Sequence, residues 1–137
     1  MQTNYFEHQR DVQPQDIDDL SHVNNAVYLH YIEDCARTHA EVRGLSLAGF
    51  REAGTVPMVR EHILTYYAQA KLGDTLSVST EVLELSGPKA VRRSQVKRVG
   101  SGDPELLVEA RTLWVWINPE MGKPMRVPEA VKASFGF

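Results

Sequence analysis

The polar stretch DIDDLSHVNN, residues 16–25, contains the side chains of the sequence best suited to chemistry. Three aspartates, one histidine and two adjacent asparagines fall within ten positions. Helix capping explains part of this composition, because Asn24 is a good N-cap for a helix beginning at Asn25 and carboxylates are favourable near a helix N-terminus. Capping does not explain why His22 and a second asparagine join the aspartates. The residues alone leave a structural turn and a functional turn open.

The functional alternative is hydrolysis of an activated acyl group. The first amides of a helix have no acceptor within the helix and are able to bind an oxyanion. A carboxylate a few residues earlier can attack a carbonyl placed over that helix end, or activate water to attack it. One oxyanion donor is typically worth ~100- to 1000-fold in rate.

Hydrophobic periodicity predicts the elements that position this turn. Residues 4–13 form a first strand, which Pro14 ends because proline has no amide for a sheet ladder. Helical spacing then predicts one helix of about 18 to 20 residues from Asn25, with Gly44 as its stop. A loop follows over residues 45–55. Alternation at a spacing of two predicts four further strands over residues 56–67, 75–85, 90–99 and 105–118, and an irregular tail with a short final turn completes the chain.

The order strand, long helix and four strands predicts an α+β fold. One helix cannot cover both faces of a five-stranded sheet, so we expect an antiparallel sheet curled around the long central helix. Apolar surface left over would be buried by a second copy, which predicts a homodimer or homotetramer. The strand 105–118 is apolar enough to lie at the centre of the sheet.

Composition and charge limit the domain organisation, the partners and the cellular location that we expect. The 137 residues suit one domain, 1–137, with 42% hydrophobic and 24% charged residues. A net charge of −3 argues against nucleic acid as a partner, and no apolar run approaches the length needed for a membrane span. The first residues lack the pattern of a secretory signal, and the single Cys35 fits a reducing compartment. A cytoplasmic location is therefore expected.

The segment DIDDLSHVNNAVYLHYIEDCAR resembles the signature of the 4-hydroxybenzoyl-CoA thioesterase-like family of the hotdog-fold superfamily. The matching residues are Asp16, Asp18, His22, Val23, Asn24, Asn25, Tyr28, Tyr31 and Glu33. Weaker similarity extends over nearly the whole chain. The resemblance implies a single hotdog domain that acts as an acyl-CoA thioesterase. Coenzyme A would be part of the substrate, and no separate cofactor is implied.

The resemblance assigns catalytic roles residue by residue. Asp18 would be the catalytic carboxylate, as nucleophile or general base, and the amide of Asn25 would polarise the thioester carbonyl. The HVNN motif also resembles the acyl-carrier-protein thioesterases of plants, in which Asn and His of this motif are catalytic, so His22 and Asn24 are further candidates. Ser21 departs from the family, where glycine is commoner and adopts a left-handed backbone more readily.

Substrate-binding candidates also follow from the resemblance. Tyr28 belongs to the motif, and Arg60 and His62 would border the site of a neighbouring subunit. Lys89 and Arg92, at the start of a basic strand, would meet the phosphates of coenzyme A, although a solvated strand face is the commoner role for such residues. The histidines and acids lack the spacing of a metal site, so none is expected.

Three other functions stay open at this point. The thiol partner could be acyl-carrier protein in place of coenzyme A. The protein could bind acyl thioesters without turnover, or it could be a hotdog dehydratase or hydratase. Glu33 is a further carboxylate on the helix, but an i,i+4 pair with Arg37 is its plainer role.

Overall fold

The computed structural model describes residues 2–137, so Met1 of the predicted domain lies outside the described residues. A long helix packs against one face of a curled antiparallel sheet, as the sequence predicts. In chain order the elements are β1 (Tyr5–Asp11), a 3-10 turn (Pro14–Asp16), α1 (Asn25–Val42), α2 (Leu47–Ala53), β2 (Val56–Tyr66), β3 (Thr75–Ser86), β4 (Lys89–Val99), β5 (Glu105–Asn118), β6 (Lys123–Pro124) and α3 (Glu129–Ser134).

The five long strands have the order β1-β3-β4-β5-β2, and the short β6 pairs with β5. The middle strand is β4, so the prediction that the apolar strand 105–118 lies at the centre is wrong by one position. β4 is nevertheless well suited to this place, because Ala90, Val96 and the polar Ser94 on its inner side are all buried. The edge strand β2 pairs with β5 alone among residues 2–137.

The inner face of β2 is interrupted by a β-bulge at Arg60. Before the bulge Met58 lies opposite Val115, and after it His62 lies opposite Thr112. Since side chains alternate along β5, these two partners lie on opposite faces of the sheet. A bulge adds one residue to one strand, so Met58 and His62 do not share a face as simple alternation would predict.

The buried side of α1 joins two apolar clusters. Near the helix start, Tyr28, Tyr31 and Cys35 pack with residues of β3, β4 and β5. Near its end, Ala40 packs in a second cluster that includes Trp116 from β5, together with residues of α3. No helix between residues 2 and 137 has both the length and the apolarity required to cross a membrane.

Two segments are more ordered than the sequence indicated. The predicted loop 45–55 contains α2, whose N-cap Ser46 accepts a hydrogen bond from the amide of Gly49. Gly54 ends this helix with a φ of +77°, a left-handed conformation that suits glycine. The tail forms α3, which buries Val131. Short helices of this kind have too few turns to produce a clear periodic pattern.

Candidate active site

The turn between β1 and α1 is closed by its own backbone. Ile17 and Val23 form an isolated antiparallel bridge, and the amide of Asp18 donates to the carbonyl of His22 at 2.9 Å. The Asp18 carboxylate is held by the loop, because Oδ1 accepts from the amide of Leu20 at 2.9 Å and more weakly from that of His22 at 3.4 Å. The second oxygen, Oδ2, has no hydrogen-bond partner among residues 2–137.

Ser21 has the backbone conformation that its place in the motif required. Its φ is +65°, and no other non-glycine residue between 2 and 137 has a positive φ. Its amide donates to the carbonyl of Asp18 at 3.1 Å. The left-handed turn is thus kept in this chain although glycine is missing.

The first helical amide lies free beside this loop. The side chain of Asn24 accepts from the amide of Ala26 at 2.9 Å, and its carbonyl accepts from Val27. The predicted N-cap is therefore confirmed. The amide of Asn25, between them, has no acceptor in residues 2–137. A free amide at the N-terminal end of an 18-residue helix is well placed to bind an oxyanion.

The Asp16 side chain has a structural role in the turn. Its Oδ2 accepts from the hydroxyl of Tyr31 at 2.7 Å and from the amide of Gln13 at 2.9 Å. The guanidinium of Arg10 lies 4.3 Å from the centre of the Tyr31 ring. Burial, together with the hydrogen bond to Asp16, raises the pKa of Tyr31. Asp16 therefore anchors the turn to the helix.

Tyr66 is a neighbour of the site that the motif did not indicate. It is the last residue of β2, and its hydroxyl donates to the carbonyl of Asn25 at 3.0 Å. Strand alternation placed it on the same side as His62, and that was the available signal. Nothing in the sequence indicated that this strand ends over the start of α1.

Tyr28 is not at a substrate surface in this structure. Its side chain is 0% exposed, its hydroxyl accepts from the amide of Ala70 at 2.9 Å, and it lies 3.4 Å from Oε1 of Gln69. These contacts place it in the core and attach the segment after β2 to the helix. The side chain of Tyr28 therefore has a structural role, in contrast to the predicted substrate contact.

The candidates on β2 lie away from the turn. Nδ1 of His62 is hydrogen-bonded to the hydroxyl of Thr112 at 2.8 Å. Arg60 is exposed at the bulge. The structure therefore does not bring either side chain together with Asp18 within one chain, and their predicted role at a partner's site stays a prediction.

The two basic candidates on β4 differ in their exposure to solvent. Lys89 is exposed at the first position of the strand. Arg92 is only 8% exposed, and its Nη1 donates to Nδ1 of His39 at 2.9 Å and to the hydroxyl of Thr80 at 3.0 Å. The predicted contact between Arg92 and a phosphate of coenzyme A does not fit this burial, because the guanidinium lies inside the fold.

Arg37 on α1 forms an ion pair with Asp34 at 3.0 Å, one turn away. The predicted pair between Arg37 and Glu33 is therefore not the one formed. In the part of the chain that is described, no group of three or more His, Cys, Asp or Glu side chains is arranged to hold a metal ion.

Residues 12–135 match the family described as the thioesterase-like superfamily. The chain belongs to this superfamily. A curated relative, the acyl-CoA thioester hydrolase YbgC of Escherichia coli, is 33% identical over 78 residues, which are 57% of this chain. The match covers 56% of that relative, little more than half of its length.

Solved structures of thioesterases share this fold. A thioesterase from Thermus thermophilus, complexed with coenzyme A and Zn, is 29% identical over 94% of this chain and 90% of its own, with a TM-score of 0.77. The 4-hydroxybenzoyl-CoA thioesterase of Pseudomonas sp. strain CBS-3 is 20% identical, and the alignment covers 96% of this chain and 99% of that one, with a TM-score of 0.85. The predicted hotdog fold is confirmed.

Proposed function

We propose that this protein is an acyl-CoA thioesterase, which hydrolyses a thioester to a free acid and coenzyme A. One observation carries the proposal: the unpaired amide of Asn25 begins a long helix directly after the turn that holds the Asp18 carboxylate. An oxyanion donor and a carboxylate are the two groups that thioester hydrolysis needs. Membership in the thioesterase-like superfamily and the similarity to YbgC support the same activity.

In the proposed reaction the thioester carbonyl oxygen faces the amide of Asn25. Asp18 acts through Oδ2, either by taking a proton from a water molecule that attacks the carbonyl carbon or by attacking that carbon itself. The negative charge that develops on the carbonyl oxygen is stabilised by the Asn25 amide. The carbon–sulfur bond then breaks and coenzyme A leaves as the thiol. In the general-base route the acid keeps the oxygen of the attacking water, whose proton passes through Asp18 to the sulfur. In the nucleophilic route the thiolate takes a proton from solvent, and a water molecule then hydrolyses the acyl–Asp18 anhydride to the free acid and the Asp18 carboxylate.

The surrounding residues have supporting roles in this proposal. His22 and Asn24 shape the turn, since the His22 backbone closes it and the Asn24 side chain caps the helix. Lys89, exposed at the start of β4, would meet a phosphate of coenzyme A. Coenzyme A enters as part of the substrate, and the mechanism uses no other cofactor. A cytoplasmic location, consistent with the single cysteine, belongs to the proposal.

We also propose a homodimer that forms through the edge of β2. This strand has an open edge and exposes large apolar side chains. They are Met58, Val59, Ile63 and Tyr66. An open apolar edge strand is a template for pairing with another chain, and a second copy is the simplest occupant. A dimer of this kind would bring Arg60 and His62 close to the partner's surface.

The test is Asp18→Asn, assayed by thiol release from acyl-CoA substrates of increasing chain length and from an aromatic acyl-CoA. We expect loss of at least about 100-fold in kcat with the far-UV circular dichroism unchanged. Asp19→Asn is the matched control, because Asp19 is exposed and adjacent, and it should keep its activity. Full activity in Asp18→Asn would refute the mechanism. Tight binding of acyl-CoA by the wild type without thiol release would refute the proposed hydrolytic activity.

A further inference from the structure

A cavity of about 580 Å³ lies between α1, α2 and the sheet, separate from the Asp18 turn. Its wall is mainly apolar and aromatic. Among the apolar side chains that line it are Leu47, Phe50, Leu85, Trp114, Trp116 and Phe135. On α1 it runs from Glu33 to Glu41, which lie roughly 12 to 24 Å along the helix from Asn25 at 1.5 Å per residue.

The one buried charge in this wall is Arg92. Its hydrogen bonds within residues 2–137 are both made by Nη1, to His39 and to Thr80. Because Arg92 donates to Nδ1 of His39, the other ring nitrogen carries the hydrogen and donates to the carbonyl of Thr3 at 2.8 Å. His39 is therefore neutral. The guanidinium carbon of Arg92 lies 5.3 Å from the centre of the Phe135 ring, which attracts the charge but carries no opposite charge to neutralise it.

No carboxylate in the described part of the chain forms an ion pair with Arg92. The acids that line the same cavity, Glu33 and Glu41, are less buried than the arginine, and Arg37 between them is exposed and pairs with Asp34. A buried charge without an opposite partner is costly. Burial also lowers the pKa of Arg92 to about 10, which leaves the guanidinium charged at neutral pH.

Two further hydrogen-bond donors in the wall lack acceptors. The indole N–H groups of Trp114 and Trp116 are buried and unpaired among residues 2–137. Buried donors are nearly always paired in folded proteins, and unpaired ones require a reason. Neither N–H has accessible surface in the cavity, so Arg92 is the buried charged donor that the wall presents beside apolar side chains. A ligand that suits this wall has an apolar body and acceptor oxygens at one end.

We propose that this cavity binds an organic anion, an apolar chain that ends in a carboxylate, with the carboxylate paired with the guanidinium of Arg92. The planar guanidinium offers two parallel N–H donors to a carboxylate, which is the pairing that arginine favours. Two sources supply this chemistry. One is a free carboxylic acid. The other is the far end of an acyl thioester that carries a second carboxylate, and this source rests on the proposed function.

The first experiment measures binding without catalysis. Octanoate and its neutral analogue octanamide are titrated into the wild type, Arg92→Met and Arg93→Met by calorimetry. Arg93 is the matched control, since it is the next residue, points to the other face and pairs with Glu81. We expect the wild type and Arg93→Met to bind octanoate about tenfold or more tightly than octanamide, and Arg92→Met to lose this preference.

Arg92→Lys is a second variant that tests the same contact if Arg92→Met does not fold. It keeps the charge but loses the fork of donors, so it should keep only part of the preference. Circular dichroism and urea unfolding report whether each variant is folded. Equal binding of octanoate and octanamide by the wild type would overturn the inference. An unchanged preference in folded Arg92→Met would overturn it as well.

The second experiment separates the two sources. Hydrolysis of dodecanoyl-CoA is compared with that of the same chain bearing a terminal carboxylate. Faster hydrolysis of the carboxylated substrate, lost in Arg92→Met, assigns the cavity to the acyl chain. Equal rates together with Arg92-dependent octanoate binding assign it to free acids. Octanoate binding with no hydrolysis of any thioester would refute the proposed function and leave this inference intact.

Discussion

The hydroxyl of Tyr66 donates a hydrogen bond to the backbone carbonyl of Asn25 across 3.0 Å. This contact joins the end of β2 to the first residue of α1. Asn25 is the residue whose amide is the proposed oxyanion donor. The edge strand that we propose as the dimer interface is therefore connected to the residue that carries the proposed catalytic amide, through the carbonyl of that residue.

Tyr66→Phe removes this hydrogen bond and keeps the ring. A hydrogen bond of this kind contributes about 0.5–1.5 kcal/mol, so we expect kcat for acyl-CoA hydrolysis to fall by about two- to tenfold with little change in KM. Tyr67→Phe is the control, because Tyr67 is also exposed and its hydroxyl forms no hydrogen bond within residues 2–137. A Tyr66→Phe enzyme with unchanged kcat would show that the contact does not position Asn25.

The sequence predicted well those elements whose pattern is long and local. The bounds of α1 and β5 follow from helical periodicity sustained over several turns and from a fourteen-residue, largely apolar stretch between two turn signals. The seven-residue α2 has no such pattern. The bulge at Arg60 was also missed, since an inserted residue depends on pairing with β5 and leaves no local signal.

The site was predictable only in part, for a related reason. Capping by Asn24 depends on local chemistry and was expected from the turn. The left-handed backbone at Ser21 was not expected from its residue type, because serine adopts this conformation less readily than glycine. The burial of Arg92 was not expected either, because the outward or inward direction of a basic residue in a strand depends on register. Tyr66 reaches Asn25 only through the curl of the sheet, and a contact between residues 41 positions apart has no local signal in the sequence.

Ser21→Gly should stabilise the turn. A non-glycine residue in the left-handed region costs about 1–2 kcal/mol, and the extra freedom of glycine in the unfolded chain offsets about 0.4–1 kcal/mol of the gain. We expect a net increase of up to about 1.5 kcal/mol in the free energy of unfolding, measured in urea. Ser21→Val should lower it, because β-branched side chains tolerate this conformation least. Equal stability of the glycine and valine variants would contradict the assigned backbone.

His39 should make stability depend on pH below neutrality. Burial and the Arg92 charge lower its pKa from 6.5 to about 4, and the side chain is only 1% exposed. Above pH 6.5 the residue is neutral in both states and has no effect. Between pH 6.5 and 4 the unfolded chain binds the proton first, so stability falls as the pH falls, by up to roughly 3 kcal/mol.

His39→Gln removes the titrating group and keeps a hydrogen-bond acceptor for Arg92. The difference in unfolding free energy between wild type and this variant should therefore shrink or reverse as the pH falls from 6.5 to 4. His30→Gln, at an exposed position of the same helix, is the matched control for the substitution itself. Urea titrations at several pH values measure all three proteins. A constant difference between wild type and His39→Gln would exclude a neutral buried imidazole.

Ile63→Asp should disrupt the proposed dimer. Ile63 is 53% exposed on the open edge strand, so the substitution costs a single chain little, whereas two like charges would face an apolar interface in the assembly. We expect sedimentation to shift from dimer or tetramer towards monomer. Leu72→Asp is the control, since Leu72 is similarly exposed, at 58%, but lies in the turn before β3. A monomeric wild type, or an Ile63→Asp variant that sediments like wild type, would refute pairing through β2.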